Sequence, residues 1–372
     1  MLSNTHVVCL GLFLISFQSC KHTKIEATSE AEKLPIHIDL INNLENKKDL
    51  FLSDFADSVS YVALETSDNS LLPEMSKVIP VKGGYLIIAN RHPLFYFDAS
   101  GKFIRKIGGI GSGPGEYKFC WMTQYDPGSE LIYVCENYKK LILVFTLAGT
   151  YCKSIKFNDL ATGFHVFNNR TIFLYSKFSP SDPNLSVLSL LDSTGTLISS
   201  FERTIDRAPV WSANTMEIYV QCDPSAILLP NSFSDTVFQL NEDFEVTPFC
   251  TYNVGNHLIP PDILDNRELF IETSQNYIAE ISTWAYPSII ITRFHYQGKS
   301  YTGYYQKSIK EFHLLNNPDS LMGYIKNDLD GGPSFSTGTF EYYNASTQIS
   351  YRLIQPVYLL DYKKKAISPH KI

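Results

Sequence analysis

Apolar and polar positions along this chain fall into an order that recurs: an apolar strand-length run, a polar loop, a second apolar run, a tight turn and a third run. Residues 85–89 lead through Asn90, Arg91 and His92 to 94–97, then through Asp98-Ala99-Ser100-Gly101 to 102–107. The order returns at 131–135, 141–145 and 151–157, with the loop 136–140 and the turn Thr146-Leu147-Ala148-Gly149. It returns at 171–175, 186–191 and 196–201 around Asp192-Ser193-Thr194-Gly195, and at 226–229, 236–240 and 244–252 around a turn opened by Asn241. Short apolar runs rich in β-branched and aromatic residues, bounded by turn formers, predict strands. The turn openers at 98, 146, 192 and 241 stand 48, 46 and 49 residues apart. A period in that range, made of strands alone, predicts a β-propeller, whose blades bury their faces only by stacking around an axis.

The turn chemistry agrees. Gly101, Gly149 and Gly195 hold the fourth place of their turns, where a positive φ closes a hairpin with a bulge. Asp126-Pro127-Gly128 predicts another hairpin. A fifth blade is expected around 288–293 and 300–305. A sixth is expected after Leu321, completed by an N-terminal strand such as 58–63, so that no sheet edge stays free. The expectation is an all-β, six-bladed propeller of four-stranded antiparallel blades, closed with an N-terminal strand and spanning residues 35–372. An irregular β-sandwich is the alternative, and the even spacing weighs against it.

The first twenty residues break the pattern. Residues 7–17 (VVCLGLFLISF) form an uncharged apolar run, too short to span a bilayer stably and of the right length for the core of an export signal. Gln18-Ser19-Cys20 follows and resembles a bacterial lipobox. Residues 1–19 are therefore expected to be a signal peptide, Cys20 to carry a lipid, and 20–34 to be a polar tether. That makes an outer-membrane lipoprotein, favoured on the periplasmic side and anchored to the membrane through Cys20. The alternative for the apolar run is a buried N-terminal strand or helix.

Composition narrows the function classes. Aromatics make up 13% of the chain, with 23 Tyr and 24 Phe, and the net charge is −7. An acidic chain without a Lys/Arg cluster does not track phosphates, so no nucleic-acid partner is expected. Cys120, Cys135, Cys152, Cys222 and Cys250 show no CxxC and no metal-ligand spacing, and lie in or beside apolar runs as small buried hydrophobes. One disulfide among them remains open. The nine His include no HxH, HxxxH or HExxH spacing, and no G-x-S-x-G occurs, so neither a metal nor a nucleophile elbow is expected. Asp328 and Asp330 before Gly331 read as a turn rather than half a calcium loop, and no cofactor is expected.

Several blocks carry a family likeness. They are Ile38-Asp39-Leu40, Tyr61-Val62-Ala63-Leu64-Glu65-Thr66, the stretch from Phe97 to Gly108, Ser234-Asp235-Thr236-Val237-Phe238 and Asn327-Asp328-Leu329-Asp330-Gly331-Gly332. The most specific is Gly111-Ser112-Gly113-Pro114-Gly115-Glu116-Tyr117. In these, and in their order, the chain resembles the bacterial six-bladed β-propeller lipoproteins related to NHL-repeat proteins. The resemblance implies an exported lipoprotein propeller and little about chemistry, because a propeller hosts many functions.

In a propeller, the loop after each blade's second strand and the connector to the next blade emerge on one face. That places Arg91, His92, Glu136, Asn137 and Lys139 around one mouth as ligand-binding candidates. Gly111, Gly113, Pro114, Gly115, Glu116 and Tyr117 form the interblade connector there, with Tyr117 packed between blades. The connector is no phosphate loop, since it lacks both the GxGxxG register and a following Gly-Lys-Ser/Thr. Arg91, His92, Glu136 and Asn137 are expected to matter for binding and hardly for stability. The leading reading is a membrane-anchored binding or scaffold propeller whose partner is a glycan, peptide or protein. The alternative is a carbohydrate-active hydrolase or lyase, with carboxylates such as Glu116 and Glu136 paired across the mouth.

Overall fold

Each predicted strand trio gains a fourth strand ahead of it. In the computed structural model, Ser76–Val81, Gly84–Ala89, Leu94–Asp98 and Phe103–Ile107 pair antiparallel in chain order. Thr123–Asp126, Leu131–Glu136, Leu141–Thr146 and Tyr151–Lys156 do the same. So do Ala161–Phe167, Thr171–Ser176, Val187–Asp192 and Leu197–Glu202. Two further sheets repeat this meander and add a fifth, parallel strand from the N-terminal segment. Gln221–Asp223, Ala226–Leu229, Thr236–Asn241 and Val246–Asn253 take Ile36–Asp39, while Ala279–Ala285, Ile289–Tyr296, Lys299–Gln306 and Glu311–Leu315 take Lys47–Lys48. This is an all-β propeller fold with four-stranded antiparallel blades. The structure describes residues 13–18, 34–73, 76–89, 91–120, 122–158, 161–167, 171–176, 187–202, 221–223, 226–229, 233–241, 243–316, 324–336, 342–344 and 349–354.

The turns form as their residues dictate. Asp98 Oδ1 accepts from the Ser100 amide at 2.9 Å and the Lys102 amide at 3.0 Å, and Asp192 Oδ1 repeats this with Thr194 and Thr196. These bonds hold both carboxyls below the usual range, the hydroxyls of Ser100 and Thr194 contributing most. Gly101, Gly149 and Gly195 take φ of 86°, 86° and 93°, and each hairpin slips register at the adjoining bulge. In the fourth such turn Phe244 occupies the left-handed position instead, at φ 63°. Asp126 caps its own turn through Gly128 and Ser129, while Asp328 binds the Ser53 amide and hydroxyl.

The chain divides into two compact units, one containing Val59–Phe157 and Ser350–Ile372, the other Gln18–Ser58 and Asn158–Ile349. In the second, the N-terminal segment is woven into the sheets. Ile36 and Ile38 enter a core with Val237, Cys250, Ile290 and Leu314, and Leu50–Phe51 pairs parallel with Tyr324–Lys326. Two short helices, Pro261–Asp265 and Arg267–Thr273, depart from the strand pattern. Pro stands at the first turn of one, and the Asn266 side chain caps the other by accepting from the Leu269 amide.

In the first unit, Ser58–Ala63 and Ile349–Ile354 flank a strand formed by Phe13–Gln18. The run whose hydropathy suggested an export signal is thus paired as a strand. Cys20, the tether to Lys33 and Asn90 lie outside the described residues, and of Cys222 only the backbone is described. Cys120, Cys135 and Cys250 are buried free thiols and Cys152 an exposed one, so no disulfide joins these four. Among the described residues no helix is long and apolar enough to cross a membrane, and no three His, Cys, Asp or Glu side chains group as metal ligands.

Candidate functional site

The first two blades bring three loops together at one end. Ala89 and Leu94 close that end of the first sheet, and Thr123, Glu136 and Leu141 that of the second. Two buried groups tie the loops. The Cys120 thiol lies 3.5 Å from the carbonyls of both Ala89 and His92, so the strand-ending turn 89–92 and the segment 118–120 are in contact. Burial pushes that thiol up to about 12, which makes it a packing group and no nucleophile.

The second hub is Glu136. It is 0% exposed, and its carboxylate accepts from the amides of Lys118 at 2.5 Å, Phe119 at 3.2 Å and Tyr138 at 3.2 Å. A buried carboxylate persists where such donors satisfy it. The expectation that Glu136 meets a ligand without affecting stability is therefore corrected: its oxygens are committed to the backbone. Glu116 holds its own loop with one oxygen, its carboxylate accepting from the Gly113 amide at 2.7 Å. Of the carboxylate pair suggested for glycosidic cleavage, Glu136 is sealed under backbone amides.

Gly109–Ile110 and Glu116–Tyr117 run parallel, and a Cβ on Gly111 would collide with the Glu116 carboxylate. Gly115 is buried, whereas Gly113 and Pro114 are exposed at the tip. Tyr117 is fully buried between the two blades, its hydroxyl donating to the Ile107 carbonyl at 2.7 Å and accepting from the Leu94 amide at 2.8 Å. Its ring meets Phe145 of the next blade edge-on at 6.3 Å. Lys139 ties the connector to the second blade by donating to the carbonyls of Glu116 at 2.8 Å and Gly111 at 3.3 Å.

What remains exposed is chemically distinct. Arg91 and His92 stand in solvent on the 89–92 turn, Arg91 with a left-handed backbone at φ 61°. Asn137 is half-buried in the one-turn 3-10 helix Asn137–Lys139. Tyr138, at the tip of that turn, is 76% exposed, and its ring lies 5.4 Å from that of Phe119 at 33°. Lys118 is exposed beside Phe119. Sequence reasoning placed Tyr138 on the mouth loop without singling it out, and missed Phe119 and Lys118 altogether. An aromatic at the apex of a polar turn was the signal for Tyr138. Phe119 lies in a stretch with no strand period to orient it.

The second unit has a separate shallow cavity of about 300 Å³, lined by His37, Asp39, Asp235, Thr251 and Asn253 over Ile38 and Tyr252. His37 Nδ1 pairs with the Thr251 hydroxyl at 2.7 Å, and Asp39 is taken up by Asn42 and Asn253.

Among solved structures, the chain is similar to a Bacteroides fragilis protein described as exported, at 14% identity and a TM-score of 0.60, over 86% of this chain and 99% of that one. A member of a second family of unknown function, from Bacteroides vulgatus, follows at 10% identity and 0.46, over 79% and 96%. A protein of Agrobacterium tumefaciens described as TolB follows at 9% identity and 0.48, over 93% and 98%. Identities this low show the fold alone. No curated protein matches the sequence. The family described as a domain of unknown function, DUF4934, matches residues 35–371.

Proposed function

We propose, from the premise that this chain belongs to the DUF4934 family, that it is a cell-envelope propeller that binds a glycan on the Tyr138–Phe119 pair. The observation that carries the reading is an aromatic pair, Tyr138 exposed and Phe119 half-buried, whose backbone is pinned by a buried carboxylate. An aromatic face carries negative charge that attracts the C–H bonds on the flat side of a sugar ring, and an exposed ring costs hydration unless something covers it. Arg91, His92 and Asn137, on the loops that meet there, are the polar partners, the few placed donors and acceptors that a sugar site needs, while Lys139 holds the connector beneath them.

The finer architecture belongs to this proposal. Six blades make the ring, the last drawn from residues after Leu321 and closed by Ser58–Ala63. Residues 1–19 are removed on export and Cys20 is lipidated, after which Ser58–Ala63 pairs directly with Ile349–Ile354. The export reading draws support from the signal-like run at 7–17 and the small-residue–Cys pair that ends it.

The test is a carbohydrate-binding screen with the exported protein, followed by single substitutions. Tyr138→Ala and Arg91→Ala should each weaken binding roughly tenfold, as loss of one ligand contact of about 1.5 kcal/mol does, with unchanged melting temperature. Full affinity in both variants would place the site elsewhere.

A further inference from the structure

We propose that the glycan bound at this mouth is acidic, its sugar rings stacked on Tyr138 and its carboxylates held by Arg91 and Lys118; this rests on the glycan reading above. The chain as a whole carries a net charge of −7, so a local excess of cations is contrary to its average. Arg91, Lys118 and Lys140 are exposed on the converging loops, and Lys139 is half-buried among them. Among the described residues the Arg91 and Lys118 side chains have no hydrogen-bond or ion-pair partner.

The nearby carboxylates do not cancel them. Glu136 is buried under three amides, and Glu116 is turned onto Gly113. Of the described acidic side chains of this unit that stand on turns, Asp98, Asp126 and Glu130 lie at the opposite end of the sheets, where Glu130 pairs with Lys82, and Asp68 belongs to the 67–70 turn that Ser70 fastens to Glu65 beside Gly101 at that same end. Among the described residues the mouth sets Arg91, Lys118, Lys139 and Lys140 against Glu116 and Glu136, and is left cationic.

The juxtaposition is specific. The thiol of Cys120 touches the His92 carbonyl, which sets the Arg91 turn against the 118–120 segment, while Glu136 sets Lys118 and Phe119 against Tyr138. One charged fork, one ammonium and an aromatic platform thus share a small surface. A guanidinium matches a carboxylate with two parallel hydrogen bonds, which a neutral sugar cannot use. A peptide is the less suited occupant, because the aromatic pair stands on turns and not along a strand edge to which an extended chain could add.

The experiment titrates the full exported chain with polygalacturonate, with dextran as the neutral glycan and with poly-glutamate as the acidic peptide. Polygalacturonate should bind at least about tenfold tighter than dextran, with affinity falling as salt rises. The double variant Arg91→Ala/Lys118→Ala should erase that preference without moving the melting temperature, and Tyr138→Ala should weaken polygalacturonate binding. Equal affinity for dextran and polygalacturonate would overturn the acidic assignment and leave the glycan reading standing. Poly-glutamate binding as tightly as polygalacturonate, with Tyr138→Ala harmless, would overturn it in favour of charge alone. Binding of none of the three would remove both readings.

Discussion

At the scale of single residues, burial separates the structural roles from the proposed ligand-facing ones. Tyr117 and Glu136 are fully buried and bonded to backbone groups, so their loss should read out in stability. Tyr117→Phe strands the Leu94 amide and the Ile107 carbonyl, and should cost about 2–4 kcal/mol in chemical denaturation. Glu136→Ala leaves three amides without their acceptor and should lower both the melting temperature and glycan affinity; an unchanged melting temperature would contradict its role as a hub. His165, buried within Ala161–Phe167, gives a pH prediction. Burial pushes its imidazole from 6.5 down to about 4, so the folded state holds it neutral. The unfolded chain takes up the proton first, and stability present above pH 6.5 is lost as the pH falls towards 4, by on the order of 3 kcal/mol. His165→Gln should flatten that part of the stability–pH curve.

At the scale of elements, the strand trios and their turns were legible in the sequence because each signal is local. Asp98 and Asp192 cap their own turns, and the glycines at 101, 149 and 195 take the left-handed backbone that the bulge requires. The fourth strand of each blade was harder to see. Thr123–Asp126 is four residues long, and Ser76–Val81 contains Pro80, which blunts a strand signal. Residues 36–40 are patterned as a strand, but the parallel partner of Ile36–Asp39, and the additions of Lys47–Lys48 and Leu50–Phe51, were invisible, since pairing with residues two hundred or more positions away leaves no local mark. They sharpen one prediction: deleting residues 34–65 should destabilise the protein cooperatively, because it strips Ile36 and Ile38 from a core and uncovers the edges at Cys250 and Leu314. An unchanged melting temperature after that deletion would show the segment to be an ornament.

At the scale of the whole molecule, the propeller was readable from its period, and the grouping of loops at one end of the first two blades from the rule that alternate loops share a face. Which mouth residues are free was not readable, because burial decides it. Glu136 and Arg91 look alike as charged loop residues in sequence, yet one is sealed under amides and the other stands in water. The export reading is checked by metabolic labelling with a palmitate analogue: wild type should be tagged and Cys20→Ala should not. The measurement that bears most directly on the proposed binding mouth is hydrogen exchange of the protein with and without saturating glycan. Added protection should fall on the amides of 89–92, 118–120 and 136–140, and leave the turns at 98–101, 126–130 and 146–149 unchanged. Protection confined to those opposite turns, or to the cavity around His37 and Asp39, would contradict it.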